Sequence, residues 1–302
     1  MKDVTLKQLR YFDALARHGH FGQAAAASAI SQPALSVQIR EMEATLGTTL
    51  FERGARQVRL TEPGQALLAR VRDILGAADD LHDLARAASG QELGRLRLGV
   101  IPTIAPYLLP TLLPLIAREV PGLDLQLRET LTPRLLAELA DGRIDAAIVA
   151  LPVSEPAFTE VPLFEEEFVL VRPAADAGQP VPDGDGLARM RLLLLEEGHC
   201  FRDQALSFCN RPVPVPQGGL EGSSLTTLVQ MVAAGLGVTL IPDMAVAVEG
   251  RAAAVDIARF PAPRPARTIG MIWRKTAPQV DALSAIADLV RAAGAALQSR
   301  KP

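Results

Sequence analysis

Both cysteines of the chain lie in one segment, Glu196-Glu-Gly-His-Cys-Phe-Arg-Asp-Gln-Ala-Leu-Ser-Phe-Cys209, nine positions apart. His199, Arg202 and Asp203 surround the first of them. Cys200 follows Gly198, which sets it in the first turn of a short helix, where the backbone dipole favours an anion. A cationic Arg202 and a polar His199 also favour the thiolate, the form of cysteine that attacks electrophiles. Leu206 and Phe208 give Cys209 an apolar approach, so one thiol reads as activated and the other as held back. On a helix, nine positions correspond to about 900° of rotation and roughly 13–14 Å of rise. A disulfide needs Cα atoms within about 7 Å. If residues 200–209 are helical when reduced, that helix must unwind for the bond to form. Cys200 would pass to sulfenic acid and Cys209 would resolve it, coupling oxidation to a change of conformation. The closed loop would constrain the new arrangement by about 2–3 kcal/mol in chain-entropy terms. The plain alternative is a pair of small buried hydrophobes, the usual role of free cysteine.

Other chemistries find less support. Cys200, Cys209 and His199 make only three candidate metal ligands without C-x-x-C spacing, so neither a metal nor a cofactor is expected. No G-x-S-x-G run occurs, and His18, His20 and His82 fall in a helical region as surface residues. The carboxylates Glu165, Glu166 and Glu167 read as a solvated edge at the start of a strand. Gly218-Gly219 and Gly235-Leu-Gly237 read as turns rather than phosphate loops. A chain without catalytic turnover is expected.

The whole chain sets bounds on what positions these residues. It has 302 residues, Lys+Arg 31 against Asp+Glu 34, a net charge of −3 and 49% hydrophobic residues. That length suits two or more domains with ordinary cores. The charge balance excludes nucleic-acid binding through global basicity but not through a local basic element. Two cysteines exclude a disulfide-stapled scaffold. The start carries spread charges and no apolar core of a secretory signal. The stretch Leu225–Val248 is broken by Gly235, Gly237, Pro242 and Asp243, against a membrane span. A cytoplasmic protein without membrane contact is expected.

Residues 1–62 read as short helices. Leu6, Leu9, Phe12, Leu15 and Ala16 form a helical stripe stopped by Gly19, Phe21–Ala27 is a second helix, and Ser31 caps a third with Pro33 in its first turn. Leu35, Ile39, Met42 and Leu46 form the inner face of this third helix, ended by Gly47. Two helices joined by a short turn outline a helix-turn-helix. Gln32, Ser36, Gln38 and Arg40 are the polar candidates of the third helix for base contacts. Arg53, Arg56 and Arg59 then cluster about a turn at Gly54, a short wing able to grip phosphates, with Arg53 and Arg56 foremost. Arg53→Ala is expected to weaken binding to all DNA sequences alike and to reduce the slope of log affinity against log salt by about one, read by titration at several salt concentrations.

From Pro63 to Ala88 a long helix carries Leu67, Val71, Ile74, Ala78, Leu81, Ala85 and Ala88 as a heptad seam, suited to dimerisation. Beyond residue 90, short apolar strands alternate with helices, which predicts a parallel α/β sheet with ligands outside the strands' carboxyl ends. The strands are expected at Leu96–Ile101, Leu123–Glu129, Ala146–Leu151, Phe168–Arg172, Leu192–Glu196, Val238–Pro242 and Thr268–Trp273. The helices are expected at Pro106–Arg118, Pro133–Asp141, Ser224–Ala234 and Pro278–Leu297.

Phe21-Gly-Gln-Ala-Ala25, Ile30-Ser-Gln-Pro-Ala-Leu-Ser36, Ile39 to Leu46, and Phe51-Glu-Arg53 through Leu60-Thr61 resemble the LysR-type transcriptional regulators, and the likeness runs over essentially the whole chain. Ile101-Pro-Thr-Ile-Ala-Pro-Tyr-Leu-Leu-Pro110, Gly198-His-Cys-Phe-Arg-Asp-Gln-Ala205, Cys209 and Arg267-Thr-Ile-Gly270 resemble its peroxide-sensing members. The resemblance implies an α+β multidomain protein. A winged helix-turn-helix (1–62) would precede a linker and dimerisation helix (63–90) and a regulatory domain (91–302) resembling a periplasmic binding protein. The two lobes would span roughly 91–165 plus 268–302, and 166–267. It implies a homodimer or homotetramer on double-stranded promoter DNA, contact with RNA polymerase, and gene activation when hydrogen peroxide drives the disulfide. By that likeness Cys200 is peroxidatic and Cys209 resolving, Thr103, Thr132 and His199 line the peroxide pocket, and Arg202, Asp203 and Arg267 form its polar support. A member sensing a small metabolite between the lobes, with incidental thiols, is the alternative. Ala105, Leu131 and Arg211-Pro-Val-Pro-Val-Pro216 depart from the pattern, and the prolines would stiffen the segment that must refold.

Overall fold

The computed structural model describes residues 3–53, 58–88, 94–208 and 221–299. The chain forms two compact units, residues 1–89 with 141–143, and residues 90–140 with 144–302.

In the first unit α1 (Leu6–His18) opens on a capping box, in which Thr5 and Gln8 each satisfy the other's backbone N–H, and closes on Gly19 at φ +60°. The helix α2 (Phe21–Ala27) follows, and α3 (Gln32–Leu46) is capped by Ser31 and ended by Gly47 at φ +68°. Leu35, Ile39 and Met42 of α3 pack with Phe12 and Leu15. Leu46 departs from expectation, for it is 40% exposed, one turn beyond the last residue that the core covers. An antiparallel pair, β1 (Phe51–Arg53) and β2 (Val58–Leu60), makes the wing, and the N–H of Val58 donates to Gly19 O at 2.9 Å. The helix α4 (Glu62–Ala88) splits its apolar seam. Leu67 and Val71 pack on this unit's core, while Ile74 and Leu81 are exposed.

The second unit contains β3 (Arg95–Val100), α5 (Ala105–Glu119), β4 (Asp124–Glu129), α6 (Thr132–Ala140), β5 (Ala146–Leu151) and β6 (Phe158–Pro173). There follow α7 (Gly184–Arg189), β7 (Leu194–Leu195), α8 (Cys200–Phe208), β8 (Glu221–Gly222) and α9 (Leu225–Ala233). It ends with β9 (Thr239–Pro242), α10 (Val246–Ala252), β10 (Val255–Arg259), β11 (Ala266–Arg274) and α11 (Val280–Ser299). The expectation of a parallel sheet is corrected. In the main sheet β4, β3 and β5 run parallel side by side, whereas β11 is antiparallel to β5, and β6 is antiparallel to β11, β9 and β10; β7 and β8 form a separate short parallel pair. Buried strands read as apolar runs in either direction, so hydrophobicity alone does not report orientation.

The strand expected at Phe168–Arg172 is the end of a 16-residue strand. Its first part, residues 158–167, pairs with β11, and its last part, 168–173, pairs with β9 and β10. One strand thereby joins two cores. The first holds Leu98, Val100, Leu108, Ile148, Ile272 and Val290, and the second holds Phe168, Leu170, Phe201, Leu228 and Leu240.

Candidate functional site

Three connections leave the carboxyl ends of strands and carry the candidate residues, as ligand sites in open α/β sheets require. After β3 comes Thr103, just ahead of α5. After β4 comes Thr132, the first residue of α6. After β7 the chain turns at Gly198 and enters α8 with Cys200 as its first residue. The turn needs glycine, because Gly198 has φ +93° and a Cβ there would lie 3.1 Å from Leu131 Cδ1. The same close approach brings the loop before Cys200 against the residue that precedes Thr132.

Arg267 ties these parts together. It stands on β11 directly opposite Glu166 of β6. Its Nε donates to Glu166 Oε2 at 2.8 Å, its Nη1 to Thr103 Oγ1 at 2.9 Å, and its Nη2 to Thr103 O at 3.2 Å. The guanidinium also lies 5.2 Å from the centroid of the Phe201 ring, next in the chain to Cys200. Thr103, Glu166 and Arg267 are all buried. Burial pushes the Glu166 carboxyl up and Arg267 pulls against it.

Arg202 plays a different part. Its Nη1 donates to Leu195 O at 2.7 Å and to Glu221 Oε1 at 2.6 Å, fastening α8 to the small β7–β8 pair. Arg202, expected to favour the thiolate, and Arg267, expected to support the pocket, are therefore both paired with carboxylates. Asp203 is exposed on α8. Cys200 is partly buried against the first core, with a free thiol. Cys209 and Arg56 lie outside the described residues, as does the proline-rich run.

His199 is buried, and that burial lowers its ionisation below the ordinary histidine value, with Glu196 opposing. The ring is then neutral at pH 7 and offers one donor and one acceptor instead of a charge. With a depressed folded-state value, the unfolded chain holds more protons below about pH 6.5, so stability falls as pH drops from there. His199→Asn should make that fall shallower. Urea midpoints at successive pH values, followed through Trp273 fluorescence, measure it, and an unchanged pH profile would remove His199 from this account. Thr132 Oγ1 is buried without a hydrogen-bond partner among the described residues. A buried hydroxyl in this state is matched by a small polar ligand or a water.

The sequence reading missed Glu166. Glu165, Glu166 and Glu167 are expected on a solvated edge at the start of a strand, but they lie inside β6, and Glu166 is 4% exposed. Strand alternation was the available signal, since Glu166 shares its parity with Phe164 and Phe168. A second buried polar group also went unread. Tyr107 of α5 donates to Glu249 Oε1 of α10 at 2.7 Å, and Thr226 of α9 donates to the same oxygen at 3.0 Å. Burial and the Glu249 carboxylate raise the Tyr107 phenol well above its ordinary value, which keeps it a donor.

On α3, Gln32, Ser36 and Arg40 fall within an arc of about 80°. Gln32 and Arg40 are exposed, Ser36 is half-buried, and Arg40 Nε donates to Ser36 O at 3.2 Å. Gln38 lies about 200° around the helix from Ser36 and donates to Glu41 Oε2 at 2.9 Å, so it does not share their face. Arg53 lies on β1.

The model of the LysR substrate binding domain matches residues 89–295, and that of the bacterial regulatory helix-turn-helix proteins of the lysR family matches residues 6–65. A Streptomyces viridosporus protein named probable hydrogen peroxide-inducible genes activator is 43% identical over 296 residues, covering 97% of this chain and 95% of that one. The DNA-binding transcriptional dual regulator OxyR of Escherichia coli K12 is 40% identical over 293 residues, covering 96% and 95%. Full-length OxyR from Pseudomonas aeruginosa, a cysteine-to-aspartate variant, superposes with a TM-score of 0.77 at 38% identity over 96% of each chain. A hydrogen-peroxide-bound cysteine-to-serine variant of Corynebacterium glutamicum OxyR gives 0.68 at 36% identity over 98% and 94%. With one model matching its N-terminal segment and the other more than half of its length, the chain belongs to the LysR family of bacterial transcriptional regulators.

Proposed function

We propose that this chain is a hydrogen-peroxide-sensing activator of transcription whose signal is a disulfide between Cys200 and Cys209. The observation that carries the reading is the position of Cys200 as the first residue of α8, a helix that continues to Phe208. From Cys200 to Phe208 that helix rises about 12 Å, so it must open before Cys200 can bond to a thiol nine positions along the chain. The thiolate attacks one peroxide oxygen, the O–O bond breaks, and hydroxide leaves with Cys200 as sulfenic acid. The Cys209 thiolate then attacks the Cys200 sulfur, and the hydroxyl departs as water once protonated. Thr103, Thr132 and His199 hold the peroxide and give hydrogen bonds to the leaving oxygen, while Arg267 positions Thr103. Each molecule consumes one peroxide per switching event, which makes the reaction a signal instead of a turnover.

Since α8 must unwind, Arg202 must move with it, and the β7–β8 pair it fastens is reshaped. That change is transmitted to a homodimer or homotetramer bound to double-stranded promoter DNA, which then engages RNA polymerase. Gln32, Ser36 and Arg40 face the bases, Gln38 flanks them, and Arg53 and Arg56 hold the backbone. Among the described residues no helix is long and apolar enough to cross a membrane, in keeping with a cytoplasmic regulator.

Intact mass after a few equivalents of peroxide tests the reading. A loss of about two hydrogens is expected, abolished in both Cys200→Ser and Cys209→Ser. An unchanged mass in the parent chain would overturn it and favour a metabolite ligand between the lobes.

A further inference from the structure

Beside Glu166 the fold leaves a cavity of about 430 Å³ between β6, the start of α10 and the end of α11, and Thr103 is not among the residues that line it. Its size falls within the range of small-molecule sites. Phe164, Met244, Val246 and Leu297 supply apolar walls, and Glu166 and Arg251 supply the polar ends. The remaining charges around it are already paired. Asp243 Oδ1 lies 2.7 Å from Arg259 Nη1, and Arg264 Nη1 donates to both oxygens of Glu167 at 3.1 Å.

Two polar groups are left over. Arg251 is exposed at the rim, and among the described residues no hydrogen bond or ion pair engages it. Glu166 Oε2 takes both contacts from Arg267, whereas Oε1 receives only a long 3.4 Å bond from the Met244 N–H among the described residues. A buried carboxylate oxygen with acceptor capacity unused seeks a donor. Because Arg267 already balances the charge of Glu166, a neutral donor suits it better than an ammonium. An occupant that satisfies both ends carries an anion at the rim, an apolar body, and a hydroxyl at the deep end.

We propose that this cavity is a second ligand site, separate from the Cys200 site, for a small hydroxycarboxylate whose carboxylate pairs with Arg251 and whose hydroxyl donates to Glu166. Glu166 is then a wall common to both sites, with the ligand on Oε1 and Arg267, on its way to Thr103, on Oε2.

Calorimetric titration of the full-length reduced protein with 4-hydroxyphenylacetate tests the site. Saturable binding is expected. Arg251→Gln, which removes the rim cation, and Ala247→Trp, which fills the mouth, should each weaken binding about tenfold or more. Phenylacetate, lacking the hydroxyl, should bind about five- to tenfold more weakly than the hydroxylated probe. No saturable heat up to about 10 mM probe, or binding that both variants leave unchanged, overturns the proposal. Arg251 and Ala247 are exposed, so neither change threatens the fold. The titration involves no thiol chemistry, so its outcome is independent of peroxide sensing.

Discussion

Glu166→Ala is expected to destabilise the regulatory domain by about 3–5 kcal/mol, the range for removing one partner of a buried ion pair. The side chains of Arg267 and Glu166 are 1% and 3% exposed, so truncating Glu166 leaves the guanidinium without its charge partner in a largely desolvated site. Arg267 cannot respond by losing its proton. It would keep its two bonds to Thr103 but carry an uncompensated charge beneath the sheet. The double variant Glu166→Leu with Arg267→Met removes both charges and should recover most of the loss, because buried pairs exchange for apolar residues at little net cost. Trp273 makes the measurement selective. It is the single tryptophan of the chain, it is buried, and it lies on the same strand as Arg267. Urea denaturation of the full chain followed by its fluorescence therefore reports this domain alone. A Glu166→Ala midpoint close to the parent value would mean that Arg267 finds another partner, and the coupling of Glu166 to Thr103 would fall.

The DNA-binding unit was legible because its signals are local. Ser31, Gly19 and Gly47 act on the residues beside them, through a side-chain cap and a left-handed backbone, and the helices start and stop where those residues stand. The start of α8 was legible for the same reason, from Gly198. The regulatory domain was less so. Pairing direction in a buried sheet leaves no mark on hydrophobicity, so a parallel sheet was expected where β6 and β11 run antiparallel. The expected strand is shorter than β6 because Pro162 and four glutamates interrupt its first ten residues, and their tolerance depends on β11 lying beside it. Glu166 and Arg267 are 101 positions apart, and no sequence spacing links them. Each looked like an independent surface or support residue until the register placed them opposite one another. Base-reading candidates on α3 divide similarly. The four-residue spacing of Gln32, Ser36 and Arg40 was readable as one face, and Gln38 belongs to the other side by the same arithmetic.

Thr103→Val is expected to slow oxidation of Cys200 by hydrogen peroxide about 10²- to 10³-fold, the effect of removing one preorganised donor from a developing oxyanion. The geometry at Thr103 gives the hydroxyl a direction. Arg267 can only donate, and its Nη1 occupies a lone pair of Thr103 Oγ1 at 2.9 Å. The hydroxyl proton must then point elsewhere, towards an acceptor that this arrangement leaves for the leaving oxygen of peroxide. Valine keeps the shape of threonine and keeps the backbone carbonyl that takes Nη2 at 3.2 Å. Glu166 remains in place as well, so Arg267 loses one acceptor and retains its charge partner. Alkylation by iodoacetamide separates the two contributions, because its iodide leaving group has little need of a hydrogen-bond donor. A thiolate effect would slow alkylation and oxidation together. A peroxide-specific donor leaves alkylation within about threefold of the parent while oxidation collapses, and Thr103→Ser restores most of the rate because it restores the proton. Stopped-flow oxidation under excess peroxide gives the rate directly. Equal oxidation rates in Thr103→Val and the parent would show that the leaving oxygen draws its donors from Thr132 and His199 alone.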